Sequence, residues 1–175
     1  MRRAGFLPLL AIVANPCRAQ ITRLNPSAFP ELPRNIALAL RHRGCTIPQV
    51  PMLKGRRNVI KGEFSKPGQT DWAVLCSVNR KSSILVFWNG SEINPAQIEN
   101  RQDDYAVQGW TDNKMVYSRA IEPVNKSYIM EHYKAYGGEK PPPLDHLGIN
   151  DEFVGKGSEV LYFYHGKWLH LSGAD

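Results

Sequence analysis

The 175-residue chain carries a formal net charge of +6, with 22% charged and 42% hydrophobic residues and three cysteines. That length suits one domain, with a core large enough to need no metal. After the first twenty residues no run approaches the roughly 18 apolar residues of a spanning helix, and the one basic cluster, Lys54, Arg56, Arg57 and Lys61, is too short for a nucleic-acid footprint; the body is expected to hold neither a membrane span nor a nucleic-acid site.

Residues 1–20 read MRRAGFLPLLAIVANPCRAQ. Arg2 and Arg3 precede an apolar run from Phe6 to Ala14, and Cys17-Arg18-Ala19 makes a small-residue exit. That order is the pattern of a secretory signal peptide. The alternative, a short core helix, is opposed by Pro8 and Pro16. Pro16 beside Cys17, with no leucine three residues back, argues against a lipoprotein cysteine. A cut after Ala19 removes three arginines and no acid, taking the charge from +6 to +3. The chain is then expected to be periplasmic or extracellular. Two cysteines remain, Cys45 and Cys76, and an even count in an exported chain predicts a disulfide. Closing a loop of about 30 residues contributes about 3.5 kcal/mol in the chain-entropy picture.

Residues 20–31, with Pro26 and Pro30, read as an extended lead to a single domain over 32–175. A helix is expected over 32–43, with Pro33 in its first turn and Gly44 as its stop. Strands follow at 58–64, 71–77 and 82–88. The second and third are apolar on both faces, so both sides should be covered. Asn89-Gly90 is a strong turn dipeptide. Residues 91–104 read as a short helix or loop, 105–108 and 114–121 as a strand pair across Thr111-Asp112-Asn113. Met115, Tyr117, Arg119 and Ile121 share one face of that second strand. A helix over 125–136, capped by Asn125 or Ser127, should turn Ile129, His132, Tyr133 and Tyr136 inward and end at Gly137-Gly138. Pro141-Pro142-Pro143 is a stiff spacer. A last hairpin joins 159–164 to 167–171 through His165-Gly166. The fold class expected is α+β: one mostly antiparallel sheet of five to seven strands with two packed helices.

Chemistry-bearing residues are scattered. Asp145, His146, Asp151 and Glu152 precede Gly155-Lys156-Gly157-Ser158. Ser158 with His146 and an aspartate has the composition of a triad, but no Gly-x-Ser-x-Gly elbow exposes the serine. No phosphate-loop spacing is present. The five histidines make no metal-ligand spacing, and Asp103-Asp104 with Asp112 lack a calcium-loop pattern; no metal or cofactor is expected. Trp110, beside Gly109 in a polar stretch, is the tryptophan expected to be partly exposed.

Residues 62–75 (GEFSKPGQTDWAVL) resemble an FG-GAP or VCBS-type repeat, whose units run Gly-Asp-Phe, a calcium loop, then Asp-Leu-Ala-Val. The family's loop acids are here Ser65, Lys66 and Pro67, and Asp71 alone matches, so calcium binding is not implied. The order Gly-Cys-Thr-Ile-Pro-Gln, Asp-Trp-Ala-Val-Leu-Cys-Ser, Leu-Val-Phe-Trp and a late Gly-Lys-Trp also resembles small exported bacterial proteins of unknown function. The sequence thus points to an exported binding or interaction module without catalytic activity, taking a protein or saccharide partner. Its binding candidates are Trp110, Tyr105, His146 and Asp145. The alternative is a secreted hydrolase using Asp145, His146, Asp151 or Ser158.

Overall fold

The structure is a computed structural model that describes residues 21–111 and 114–174. The expected signal peptide, and Asp112 and Asn113 of the expected turn, lie outside the described residues.

The expected α+β sheet of five to seven strands is not what forms. The described residues hold two helices and twelve strands in four small antiparallel sheets, 20% helix and 41% strand. Strands β3 (Val59–Gly62), β4 (Asp71–Val78), β5 (Lys81–Phe87) and β6 (Ala96–Gln102) make one meander. Strands β9 (Arg119–Val124), β10 (Gly148–Phe153), β11 (Gly157–Tyr164) and β12 (Lys167–Ser172) make another. Two-stranded ribbons, β1 (Arg23–Leu24) with β2 (Ile47–Pro48) and β7 (Val107–Gly109) with β8 (Met115–Tyr117), flank them. A bridge from Thr46 to Ser77 joins the first ribbon to β4.

The physical reason lies in the strands that are apolar on both sides. Ala73, Leu75, Ile84 and Val86 pack with Ala120, Ile121, Ile149 and Leu161, so the inner face of one meander buries the inner face of the other. Trp72, Val74, Cys76, Leu85 and Phe87 face the opposite way, against Ile36 and Leu40 of helix α1 (Arg34–His42). On the far side, Ile129 of helix α2 (Lys126–Tyr136) packs on Val160, Tyr162 and Leu171. The result is a four-layer α/β/β/α stack. Two short helices cannot cover both faces of a wide sheet, but each covers the outer face of a narrow one while the inner faces cover each other.

Local chemistry fixes the elements. Pro33 precedes α1, and Arg41 and His42 occupy its last turn, where cations suit the helix dipole. Asn125 Oδ1 accepts from Tyr128 N at 3.1 Å and caps α2, and Gly137 ends it at φ +74°. Of the expected inward stripe only Ile129 is buried; Tyr136 is exposed. The β4–β5 turn places Asn79 and Arg80 at φ 50° and 63°, and the β11–β12 turn places His165 and Gly166 at 48° and 79°, the left-handed pairs that suit tight hairpins. The expected strand 114–121 breaks at Ser118, where the chain passes from the β7–β8 ribbon into the second meander. Residues 96–102, expected as helix or loop, form an edge strand.

The predicted disulfide joins Cys45, just beyond α1, to Cys76 of β4, with Cα atoms 5.4 Å apart. Both cysteines are buried. No described helix is long and apolar enough to cross a membrane.

Candidate functional site

At one end of the stack the two meanders part around a cleft of about 350 Å³, with the start of β5, the end of β6, β9, β10 and the start of β11 in its wall. Charged side chains are concentrated there.

Arg119 and Asp151 are the deepest pair, with side chains 4% and 1% exposed. Arg119 Nε and Nη2 donate to the two Asp151 carboxylate oxygens at 2.8 Å each. Nη2 also donates to Glu99 O at 3.0 Å and Nη1 to Ser82 O at 3.4 Å. One guanidinium thus ties β9 to β10, β6 and β5. Bidentate geometry and four occupied N–H donors out of five let a buried charge persist.

Asp103, in the 3-10 turn after β6, has a fully buried carboxylate. It accepts from Arg23 Nη2 at 2.8 Å, Ser77 Oγ at 2.6 Å and Ser82 Oγ. Ser82 Oγ lies 3.4 Å from the Tyr117 hydroxyl. Burial pushes the Tyr117 phenol well above its ordinary range, against the Ser82 contact and the Arg119 charge, so it stays protonated.

Glu99 adopts φ 55°, where the β5–β6 register slips between Ser82 and Ile84. A left-handed non-glycine at a bulge is a local cost of order 1–3 kcal/mol that the surroundings must offset. Its carbonyl is an acceptor for Arg119, and its carboxylate pairs with Arg101. Arg101 also lies 3.6 Å from Glu159 and 3.8 Å from Asp151. Burial lowers its pKa, but these acids outweigh that and hold it above the ordinary value. His170 Nδ1 lies 2.8 Å from Glu159 and Nε2 3.8 Å from Glu99. Glu99, Glu159 and His170 bring ligand-type atoms within 4.8 Å of one another. The Arg101 guanidinium lies in that group and supplies its positive charge, so the group does not fit a divalent cation.

Tyr105 stands at the mouth, 81% exposed. Half-buried Glu152 borders the cleft from β10, with its side chain on the face opposite Asp151 and no hydrogen bond or ion pair among the described residues. Burial and the Glu122 charge push its carboxyl above the usual range, against the pull of Arg57.

Of the polar and aromatic candidates singled out from sequence, Tyr105, Asp151, Glu152 and Ser158 border the cleft. Ser158 Oγ accepts from Ala174 N at 2.8 Å and lies 3.5 Å from the Tyr128 hydroxyl. His146 and Asp145 sit elsewhere. His146 Nε2 lies 2.9 Å from Phe163 O, and Nδ1 lies 2.6 Å from Asp145 and 3.1 Å from the Tyr162 hydroxyl. The His146 hydrogen bond holds the exposed Asp145 carboxyl below the usual carboxylate range. No hydrogen bond joins His146 to Ser158 among the described residues, so the four hydrolase candidates do not converge. Trp110 is 51% exposed in the β7–β8 loop and does not line the cleft. The other tryptophans pack inward: Trp72 is buried beneath α1, and Trp88 and Trp168 stack with rings 5.9 Å apart, Phe163 beside them. Asp71, in the repeat-like segment, accepts from Phe64 N, Ser65 N, Ser65 Oγ, Gln69 Nε2 and Asn89 N at 2.7–3.0 Å. Four donors from the segment and one from Asn89 fill that carboxylate.

Sequence reasoning missed Glu99, Arg101, Asp103, Arg119, Glu159 and His170 as one group. Arg119 had a visible signal: it shares a strand face with Tyr117 and Ile121, and a charge on an apolar face needs a partner. No family model, curated protein or solved structure matches the chain.

Proposed function

We propose that this is an exported binding module whose ligand site is the cleft between the two meanders. The observation that carries the reading is the concentration of buried, mutually held charge around one open cavity. A buried ion pair adds little net stability over an apolar filling. Here Arg119, Asp151 and Asp103 are buried together, and the strained Glu99 backbone stands beside them. A rigid wall of oriented polar groups with an exposed aromatic at the mouth suits small-ligand recognition. Export is supported by the leader-like pattern of residues 1–19 and by the buried Cys45–Cys76 disulfide.

The test is an amide-resolved NMR titration of the oxidised protein with benzylamine, benzyl alcohol and benzoate. At least one probe should shift amides of residues 101–106, 117–119 and 151–159 together, and Tyr105→Ala should weaken that response. Shifts confined to other surfaces, or none with any probe, overturn the cleft as the site.

A further inference from the structure

Beyond the cleft, we infer that the opposite face of the first meander carries a second site, one that takes a small tetrahedral oxyanion, a phosphate or sulfate group.

A hollow of about 290 Å³ lies on that face, just past the end of α1. Apolar side chains of β4 and β5 make its floor, and Arg43, Lys81, Ser83, Gln97 and Asn100 stand around it. The strand register explains the gathering. Cys76 pairs with Ser83, Val78 with Lys81, and Leu85 with Gln97, so these side chains share the outer face. Gln97 and Asn100 are an odd number of positions apart, and plain alternation would send them to opposite faces. The slip between Ser82 and Ile84 brings both outward, while Arg101 turns inward towards Asp151. Helix α1 covers Trp72, Val74 and Leu85 but ends at His42, and Arg43, its C-cap, borders the part left open.

The charges set the sign. No acid lines the hollow, and the side chains of Arg43, Lys81, Ser83, Gln97 and Asn100 make no hydrogen bond or ion pair among the described residues. Asp104, the acid held nearby by Arg80, is occupied by that guanidinium at 2.8 Å through both oxygens. The carbonyls of Ala39, Leu40 and Arg41 at the end of α1 already accept backbone N–H groups. An oxyanion entering here gains two cations and the hydroxyl and amide donors of Ser83, Gln97 and Asn100. A neutral ligand gains only those donors, and a cation meets two like charges.

The test is an amide-resolved NMR titration at constant ionic strength with inorganic phosphate, inorganic sulfate, glycerol and tetramethylammonium. Phosphate, sulfate or both should shift amides of residues 43–44, 76–78, 81–83 and 97–100 together and saturate; glycerol and tetramethylammonium should not. Lys81→Gln and Arg43→Gln should each weaken the oxyanion about fivefold. Saturation by phosphate alone assigns the site to phosphate esters, and by sulfate alone to sulfate esters. No saturation with either oxyanion, an equal response to glycerol or tetramethylammonium, shifts centred on the basic stretch 54–61, or an affinity that neither substitution changes overturns the inference. The ranking of probes on the unmodified protein stands whether or not the variants fold.

Discussion

Glu152 and Asp151 are neighbours in the chain with opposite circumstances. Asp151 turns into the stack and meets a guanidinium square on; Glu152 meets no cation and sits near Glu122. Because the folded protein raises the Glu152 pKa, its protonated form is favoured by folding. The contribution is fully present below the unfolded value and is lost as pH rises through the folded one. Glu152→Gln is therefore expected to be more stable than the parent at pH 7, by roughly 0.5 kcal/mol once solvent screening is allowed for. The gap should close as pH falls below the unfolded value and be gone by about pH 3, where Glu152 is protonated in both states. Thermal melts of the two proteins at both pH values check this; a constant gap would contradict it. From the sequence, Asp151 and Glu152 look alike. Alternation says which of two adjacent residues points inward, but only once the stretch is read as a strand. Gly148–Phe153 holds Asn150, Asp151 and Glu152 in a row and carries no apolar alternation, so Asp151 was legible as an acid without its partner. Arg119 was legible as an oddity on an apolar face, while Glu99 and Asp103 gave no local sign of their role.

At the level of elements, turn chemistry carried most of the legible information. Asn89-Gly90 and His165-Gly166 lie where a left-handed backbone is needed, and the apolar runs beside them form strands. Both helices were legible to within about two residues, through Pro33 and Gly44 for one and Asn125 and Gly137 for the other. The strand Ala96–Gln102 was not legible, because an edge strand is half solvated and its bulge at Glu99 interrupts alternation. The disulfide has a particular place among these elements: it fastens the residue just beyond α1 to the middle of β4. Replacing both cysteines by alanine is expected to cost about 3.5 kcal/mol. Native-state hydrogen exchange should show α1 loosening before the second meander does. Equal loss of protection in α1 and α2 would contradict that localisation.

The molecule as a whole is held differently along its two long sides. On one side β3 and β9 pack, and buried Asn58 stitches them: its Nδ2 donates to Pro48 O and Arg119 O, and its Oδ1 accepts from Ile121 N. On the other side β6 and the β11–β12 hairpin meet through Glu99, Arg101, Glu159 and His170, partly open to solvent. Amide contacts inside the stack are insensitive to salt, whereas half-exposed ion pairs are screened over about 3 Å in molar salt. Raising salt should therefore speed exchange of β6 and β12 amides more than of β3 and β9, where Asn58 remains and the Arg57–Glu122 pair alone is screened, which exchange mass spectrometry can resolve. The overall architecture was only partly legible. A strand that is apolar on both faces announces two covers, but not whether the second is a helix or another sheet.

The order of elements nearly repeats: a strand, a helix, an antiparallel return strand and later a hairpin occur first as β1, α1, β2 and β4–β5, then as β9, α2, β10 and β11–β12. This near-doubling does not make two independent modules. The surface formed by Ala73, Leu75, Ile84 and Val86 packs against Ala120, Ile121, Ile149 and Leu161, all in the second half of the chain. A ribosome delivers the first half well before its lid, so a product truncated in the middle of the chain would display an oily face ready to stick to its neighbours. A chain carried through β11 supplies the last part of that cover, Leu161.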